Sequence, residues 1–201
     1  MNTKVLRRFV ILMATLTVVV FSWWAIHGYL NRPPGDFQVN RGDIHLKGGE
    51  WEDALEDFNL ALEQRPDHRG ALMGRALVYL NTGRDAEAEA ELIYLIDYLN
   101  RTLEPDDPTG LGTLAAAHAN RGILYDRLGR YEDALADYIE ALKTDEGAIE
   151  GPNIFDKILY EARPSTVRDR AIYILEQLKL PEEERLMRLP EMDAKQRMHK
   201  P

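Results

Sequence analysis

The sequence contains no cysteine. This absence excludes disulfides, thiolate metal ligands, a thiol nucleophile and lipid attachment to cysteine, and it is compatible with oxidising and reducing compartments alike. The chain also lacks the GxxxxGK(S/T) and GxGxxG phosphate-binding motifs and the HExxH metal motif. Its histidines are scattered, at His27, His45, His68, His118 and His199. We therefore predict that the protein is not an enzyme, has no cofactor and binds no metal.

Positive charge is scarce beyond the first 32 residues. Residues 1–32 hold Lys4, Arg7, Arg8 and Arg32 and no acidic residue, yet the net charge of the whole chain is −9. The remainder is therefore strongly acidic, and nucleic-acid phosphates bind to a surplus of Lys and Arg instead. We predict that nucleic acid is not a partner.

The beginning of the chain has a long uncharged run. Residues 9–31 contain no Asp, Glu, Lys or Arg, and as a helix they would span roughly 35 Å, enough to cross a hydrocarbon core of about 30 Å. Trp23 and Trp24 lie towards the end of the run, and aromatic rings favour the membrane boundary. We predict a basic cytoplasmic N-terminus over residues 1–8, a transmembrane signal anchor over residues 9–31 and a linker over residues 32–36.

The charges around this run also predict its orientation. Cations precede the run, and the positive-inside rule places them in the cytoplasm and the rest of the chain across the membrane. We predict a single-pass protein of the bacterial inner (cytoplasmic) membrane, with its N-terminus inside and its remainder in the periplasm. The alternative is a cleaved signal peptide, but the run exceeds the usual apolar core of about 7–15 residues and no small-x-small cleavage site follows it.

The body of the chain contains an internal repeat. Two columns of small residues recur at spacings of 34 and then 46 residues, namely Gly49, Gly83, Gly129 and Ala54, Ala88, Ala134. Because 46 is 34 plus 12, the sequence holds three copies with 12 residues inserted after the second. A period in this range is typical of stacked helical repeats. We assign the copies to residues 35–68, 69–102 and 115–148, with an insertion or loop over residues 103–114.

The residue types in the copies follow a pattern of small-x-x-aromatic, then Ala-x-x-x-aromatic, then Pro. Its columns are Gly42, Ala76, Gly122; His45, Tyr79, Tyr125; Phe58, Leu92, Tyr138; and Pro66 at the end of the first copy. Residues 35–148 therefore resemble the tetratricopeptide repeat (TPR) family. The resemblance implies an all-α fold, in which a single transmembrane helix precedes a right-handed α-solenoid of about three helix pairs.

The C-terminal part of the chain has helical patterning without a clear copy of the repeat. Residues 153–162 and 165–180 carry apolar residues at helical spacing, and Ser165 suits the start of the second helix. We predict that residues 152–180 form a degenerate helix pair that caps the stack. Residues 181–201 are predicted to form a short helix and a flexible tail.

A basic residue and an acidic residue also recur with the repeat. Arginines precede the first small column, and acids precede the second ring column, at Arg41, Arg75, Arg121 and Asp57, Glu91, Asp137. We interpret them as a structural ion-pair ladder between the two helices of each copy. The alternative is that the arginines bind an anionic ligand.

The resemblance also implies a partner-binding groove on the concave side, lined by the first helix of each copy. A protein partner would occupy it as a peptide or an amphipathic helix. The residues that map onto the groove are Val39, Asn40, Asp43, Leu46 and Lys47, then Met73, Leu77, Leu80 and Asn81, then Ala119, Asn120, Ile123 and Arg127. Asn40 and Asn120 can each donate to and accept from an extended backbone, although both also suit helix starts.

These features predict a membrane-anchored protein–protein interaction module that acts as a scaffold, assembly factor or holdase for envelope or membrane-complex proteins. One alternative is a permanent accessory subunit of a large membrane complex. Another reverses the topology and gives a cytosol-facing import receptor on an organelle. No motif in the sequence names the partner.

Overall fold

The computed structural model describes residues 3–30, 32–104, 106–149, 166–193 and 198–199. Among these residues the structure contains helices, turns and irregular segments but no β-strand. The predicted all-α fold class is therefore confirmed. The predicted helix over residues 153–162 lies outside the described residues.

The helices follow one another with short connections. They are α1 (Thr3–Leu30), α2 (Asp36–Gly48), α3 (Trp51–Gln64), α4 (Arg69–Asn81), α5 (Asp85–Thr102), α6 (Pro108–Arg127), α7 (Tyr131–Ile149), α8 (Val167–Leu178) and α9 (Pro190–Asp193). A short 3₁₀ turn lies between the last two helices, at Glu182–Glu184. The backbone of α7 is extended at one internal residue, Asp145.

Helix α1 is the one described helix that is long and apolar enough to cross a membrane. It contains 28 residues, and its apolar side chains, Trp23 and Trp24 among them, are exposed along its length. Length and composition support a membrane span, and a signal sequence would meet the same two conditions.

Helices α2 to α7 form three antiparallel pairs that stack side by side. Contacts join α2 to α3, α4 to α5 and α6 to α7 within the pairs, and α3 to α4 and α5 to α6 between them. The first helices also contact one another, α2 with α4 and α4 with α6. Each pair turns at a glycine with a left-handed backbone, since φ is +75° at Gly49, +70° at Gly83 and +76° at Gly129.

Aromatic rings pack directly on Gly42 and Gly122 of the first small column, and on Gly74, which lies two residues before Ala76 of that column. A Cβ atom built on Gly42 would lie 2.7 Å from the Phe58 ring, and one on Gly74 would lie 2.3 Å from the same ring. In the third pair, a Cβ on Gly122 would lie 2.7 Å from the Tyr138 ring. These separations are shorter than any real carbon contact, so the helices approach this closely only because the side chains are absent.

The insertion is mostly helical, which differs from the predicted loop over residues 103–114. Helix α5 has 18 residues where α3 has 14, and only residues 103–107 separate it from α6. Asp107 caps α6, because its side chain accepts a hydrogen bond from the Gly110 N–H at 2.7 Å. Residues 108–114 are therefore the first turns of a 20-residue helix.

Helix α8 packs against the third pair through a buried ion pair that has no counterpart in the repeat columns. Arg170 donates to both carboxylate oxygens of Asp126 at 2.7 Å and to the Met187 carbonyl at 3.0 Å. The helix begins after Thr166, which forms a capping box with Asp169. Its N-cap is therefore one residue later than the predicted Ser165.

Substituting Gly74→Ala tests the close packing. The added methyl group collides with the Phe58 ring, so we expect the free energy of unfolding to fall by about 1–3 kcal/mol. Urea unfolding of the detergent-solubilised chain, followed by circular dichroism, measures the change.

Gly48→Ala is the matched control. A Cβ at Gly48 meets its nearest neighbours at 3.5 Å, which is an ordinary contact. The substitution should leave stability unchanged or raise it by up to about 1 kcal/mol, because alanine favours helix. Equal losses at both glycines would contradict the packing argument.

Candidate binding groove

The thirteen residues predicted to line the groove fall into three classes of exposure. Seven are buried, at Val39, Met73, Leu77, Leu80, Ala119, Asn120 and Ile123. Asp43 and Leu46 are half-buried, and Asn40, Lys47, Asn81 and Arg127 are exposed. The face made by α2, α4 and α6 therefore has a mainly apolar floor with polar and charged residues around it.

The two asparagines behave differently. The Asn40 side-chain amide donates to the Asp36 carbonyl of its own helix at 2.9 Å. Asn120 is fully buried, and its amide reaches a residue 79 positions along the chain. Asn40 and Asn120 occupy the same position in the first and third copies, 34 plus 46 residues apart, but they have different hydrogen-bond partners.

The partner of Asn120 is the backbone of His199. The Asn120 Nδ2 donates to the His199 carbonyl at 2.6 Å, and the His199 N–H donates to Asn120 Oδ1 at 2.8 Å. Burial lowers the pKa of the His199 imidazole. The sequence predicts a short helix and a flexible tail over residues 181–201. Within this region the structure places His199 against Asn120 of the predicted groove.

Sequence reasoning missed this contact because nothing in the tail is periodic. The only signal is compositional, since the last eight residues carry Lys195, Arg197 and Lys200 and no acid. These cations are attracted to the acidic body of the chain, but this general electrostatic attraction does not predict which residues they contact.

The structure brings together each arginine and acid of the predicted ladder. Arg41 donates to Asp57 with one contact at 3.1 Å, Arg75 to Glu91 at 2.9 Å, and Arg121 to Asp137 at 2.7 Å. Each of these ion pairs connects the first helix of a copy with the second helix of the same copy. Asp57 and Asp137 are 1% and 4% exposed, so their charges depend on these partners.

Glu91 and Asp137 of the ladder have shifted pKa values. Burial raises the pKa of Glu91 and outweighs the opposing effect of Arg75. At Asp137 burial also acts to raise the pKa. The hydrogen bonds from Arg121 and His118 together have a larger effect in the opposite direction, so the pKa of Asp137 is lowered overall. The His118 Nδ1 lies 2.8 Å from Asp137 Oδ1.

One group of described side chains has the spacing of a metal site. The candidate ligand atoms of His45, Glu50 and Asp53 lie within 4.8 Å of one another. The His45 ring nitrogen is hydrogen-bonded to Glu50, which raises the pKa of the imidazole. This hydrogen bond accounts for the short distances between two of the three groups. The absence of a metal site stays a prediction.

Substituting Arg121→Ala distinguishes a structural ladder from an anion-binding role. The change leaves buried Asp137 without its bidentate partner, so we expect the free energy of unfolding to fall by about 2–4 kcal/mol. The matched control is Arg101→Ala, whose ion pair with Asp97 is exposed and should contribute less than about 0.5 kcal/mol. Preserved stability with loss of partner binding would instead support an anion-ligand role.

The lowered pKa of Asp137 also predicts a pH dependence. Its carboxylate stabilises the fold above the ordinary pKa of about 4, and this contribution is lost as the pH falls through the lower, folded-state pKa. The stability difference between the native chain and Asp137→Asn should therefore be largest near neutral pH and shrink below about pH 4. Denaturant titrations at several pH values measure it, and Asp97→Asn should show little difference at any of them.

Comparisons with known proteins place the three helix pairs in one family. Residues 39–101 match a family model described as tetratricopeptide repeat, and residues 115–147 match a second model of the same description. The stretch between the two matches contains the insertion and the start of α6.

Two curated proteins are similar to parts of the chain. The Protein CTR9 homolog of Arabidopsis thaliana is 29% identical over 112 residues, which are 56% of this chain and 9% of that protein. The Tetratricopeptide repeat protein 36 homolog of Drosophila pseudoobscura pseudoobscura is 32% identical over 98 residues, which are 49% of each chain. The chain thus spans half or less of the length of these relatives.

Among solved structures, the TPR domain of Arabidopsis OM64 is similar, with 18% identity and a TM-score of 0.49. The similarity covers 69% of this chain and 94% of that domain.

Proposed function

Because the chain belongs to the tetratricopeptide repeat family over residues 39–101 and 115–147, we propose that it is a membrane-tethered module that binds a protein partner in its groove. The groove is the face lined by α2, α4 and α6. In this role the protein is a non-catalytic scaffold, assembly factor or holdase for envelope or membrane-complex proteins.

The observation that carries this proposal is the chemistry of the groove. Met73, Leu77 and Ile123 form an apolar floor that is already buried in this structure, and Met198 packs against the cluster that contains Met73 and Leu77. An apolar side chain of a partner that takes the place of Met198 would keep this floor out of water. Within this floor the Asn120 amide presents a donor and an acceptor, and both are already hydrogen-bonded to a peptide backbone. An apolar floor with a few converging polar groups is the usual composition of a binding site.

Helix α1 supports the tether. The uncharged part of α1, from residue 9 to its end, suits a bilayer. Lys4, Arg7 and Arg8 lie at the N-terminal end of the helix, before this uncharged part, and the acidic body follows the helix. This charge asymmetry favours a cytoplasmic N-terminus and a translocated body. In a bacterium the groove would then face the periplasm.

The connection between α1 and the first pair supports a short tether. Gly35 is buried with φ of +89°, and its N–H donates to Gln64 Oε1 at 3.1 Å. The chain is thus attached to the first pair within a few residues of the end of α1. A groove held this way lies near the membrane surface and suits partners that are themselves in or at the membrane.

A photo-crosslinking amino acid at Lys47 tests the groove in the native host. Lys47 is exposed on α2, whereas the control position Lys143 is exposed on α7, a second helix. We expect protein adducts from position 47 and few from position 143. A single partner at fixed ratio would identify an accessory subunit, and many unrelated partners a holdase. Equal adducts from both positions, or none from position 47, would contradict a binding role for this face.

Protease protection in sealed membranes tests the orientation. Protease added from the cytosolic side should leave the repeat body intact and should degrade it once detergent opens the membrane. Degradation before detergent is added would reverse the topology and favour the cytosol-facing import receptor.

A further inference from the structure

The C-terminal residues Met198 and His199 reach the groove at two helices. His199 is held by Asn120 on α6, and the Met198 sulfur lies 3.4 Å from the Asn81 amide nitrogen on α4. The Met198 side chain also packs against the apolar cluster that α2 to α6 form together. A segment of this chain therefore lies where the proposed partner would bind.

The hydrogen bonds to His199 indicate an extended backbone. In an extended chain the N–H and C=O of one residue point to the same side, and a neighbouring strand satisfies both. The Asn120 amide, with a donor and an acceptor side by side, takes the place of that strand. Both hydrogen bonds use backbone atoms of His199, so any residue with a backbone N–H can make these two hydrogen bonds.

The residue before it supplies the side-chain contact. Methionine is unbranched and polarizable, so it adapts to an irregular apolar surface. The Asn120 amide lies 3.4 Å from the sulfur of Met73, and the Asn81 amide lies at the same distance from that of Met198. A flexible apolar side chain at this position fills the floor while the backbone is held beside it.

A short length of chain connects this contact to a fixed part of the structure. Arg188 donates to the Arg127 carbonyl at 2.6 Å, and Asp193 lies 3.7 Å from Arg170 and 3.6 Å from Arg188. Only four residues separate Asp193 from Met198. Such a tether holds the segment at an effective concentration on the order of millimolar.

We propose that the groove binds an extended peptide, in which an unbranched apolar residue precedes a residue whose backbone N–H and C=O pair with Asn120. We propose further that the Met198–His199 segment is its resident occupant. A partner must displace this segment, so the occupant regulates access to the groove. This inference rests on the proposed function for its partner, whereas the occupancy itself can be measured separately.

Methyl NMR of the full chain in detergent micelles tests the occupancy. The chain has six methionines, and Met198→Leu assigns the Met198 signal. His199→Pro removes the N–H that Asn120 accepts, so the Met198 methyl should move to the position of an unstructured methionine and the Met73 methyl should shift. His199→Ala keeps the N–H and should leave both signals in place.

A binding assay tests the competition. A fluorescent peptide of the last eight residues, AKQRMHKP, is titrated into the full chain. It should bind His199→Pro at least about tenfold more tightly than the native chain or His199→Ala, because the tethered competitor has been released. Adding Asn120→Ala to His199→Pro should abolish this gain.

Two results would overturn the inference. One is an unstructured Met198 signal in the native chain, or the same signal in the proline and alanine variants. The other is equal peptide affinity for the native chain and His199→Pro. Crosslinks from position 47 report on the partner independently. A docked tail with no captured partner would reject the proposed function alone, and a captured partner with an undocked tail would reject this inference alone.

Discussion

The structure depends on how closely the helices approach one another. The Phe58 ring lies against Gly42 of α2 and Gly74 of α4, and a Cβ atom on either glycine would overlap it. One side chain of a second helix thereby sets the spacing of two first helices. The position of α4 relative to α2, and of the face they share, follows from this contact, and Tyr138 on Gly122 repeats it in the third pair.

Ion pairs compensate the acidic side chains that this packing buries. The close approach of the helices buries Asp57 and Asp137. Arg41 and Arg121 on the first helices form ion pairs with these two carboxylates and offset the loss of water. The same kind of contact occurs at the end of the stack, where Arg170 of α8 forms an ion pair with buried Asp126. Packing therefore sets the helix positions, and the ion pairs make those positions compatible with charge.

Features that occur in every copy of the repeat could be predicted from the sequence. The left-handed turns at Gly49, Gly83 and Gly129 are examples, because three copies at fixed spacing point to one backbone geometry. Features that occur once could not. The start of α6 inside the insertion has no second copy to compare, and the pair of Arg170 with Asp126 belongs to no column. The docking of Met198 and His199 is a contact of two residues, which is too short to leave a periodic pattern.

The contact between Asn120 and the backbone of His199 limits how much information a competing partner needs to carry. A backbone N–H and C=O are present in nearly every residue, so the two hydrogen bonds to Asn120 would place no restriction on the sequence of a partner that formed them. Restriction arises only at the preceding side chain, where several unbranched apolar residues fit. If partners displace this segment as proposed, their sequences can diverge until an alignment shows no shared motif, and a binding experiment would find them where a motif search would not.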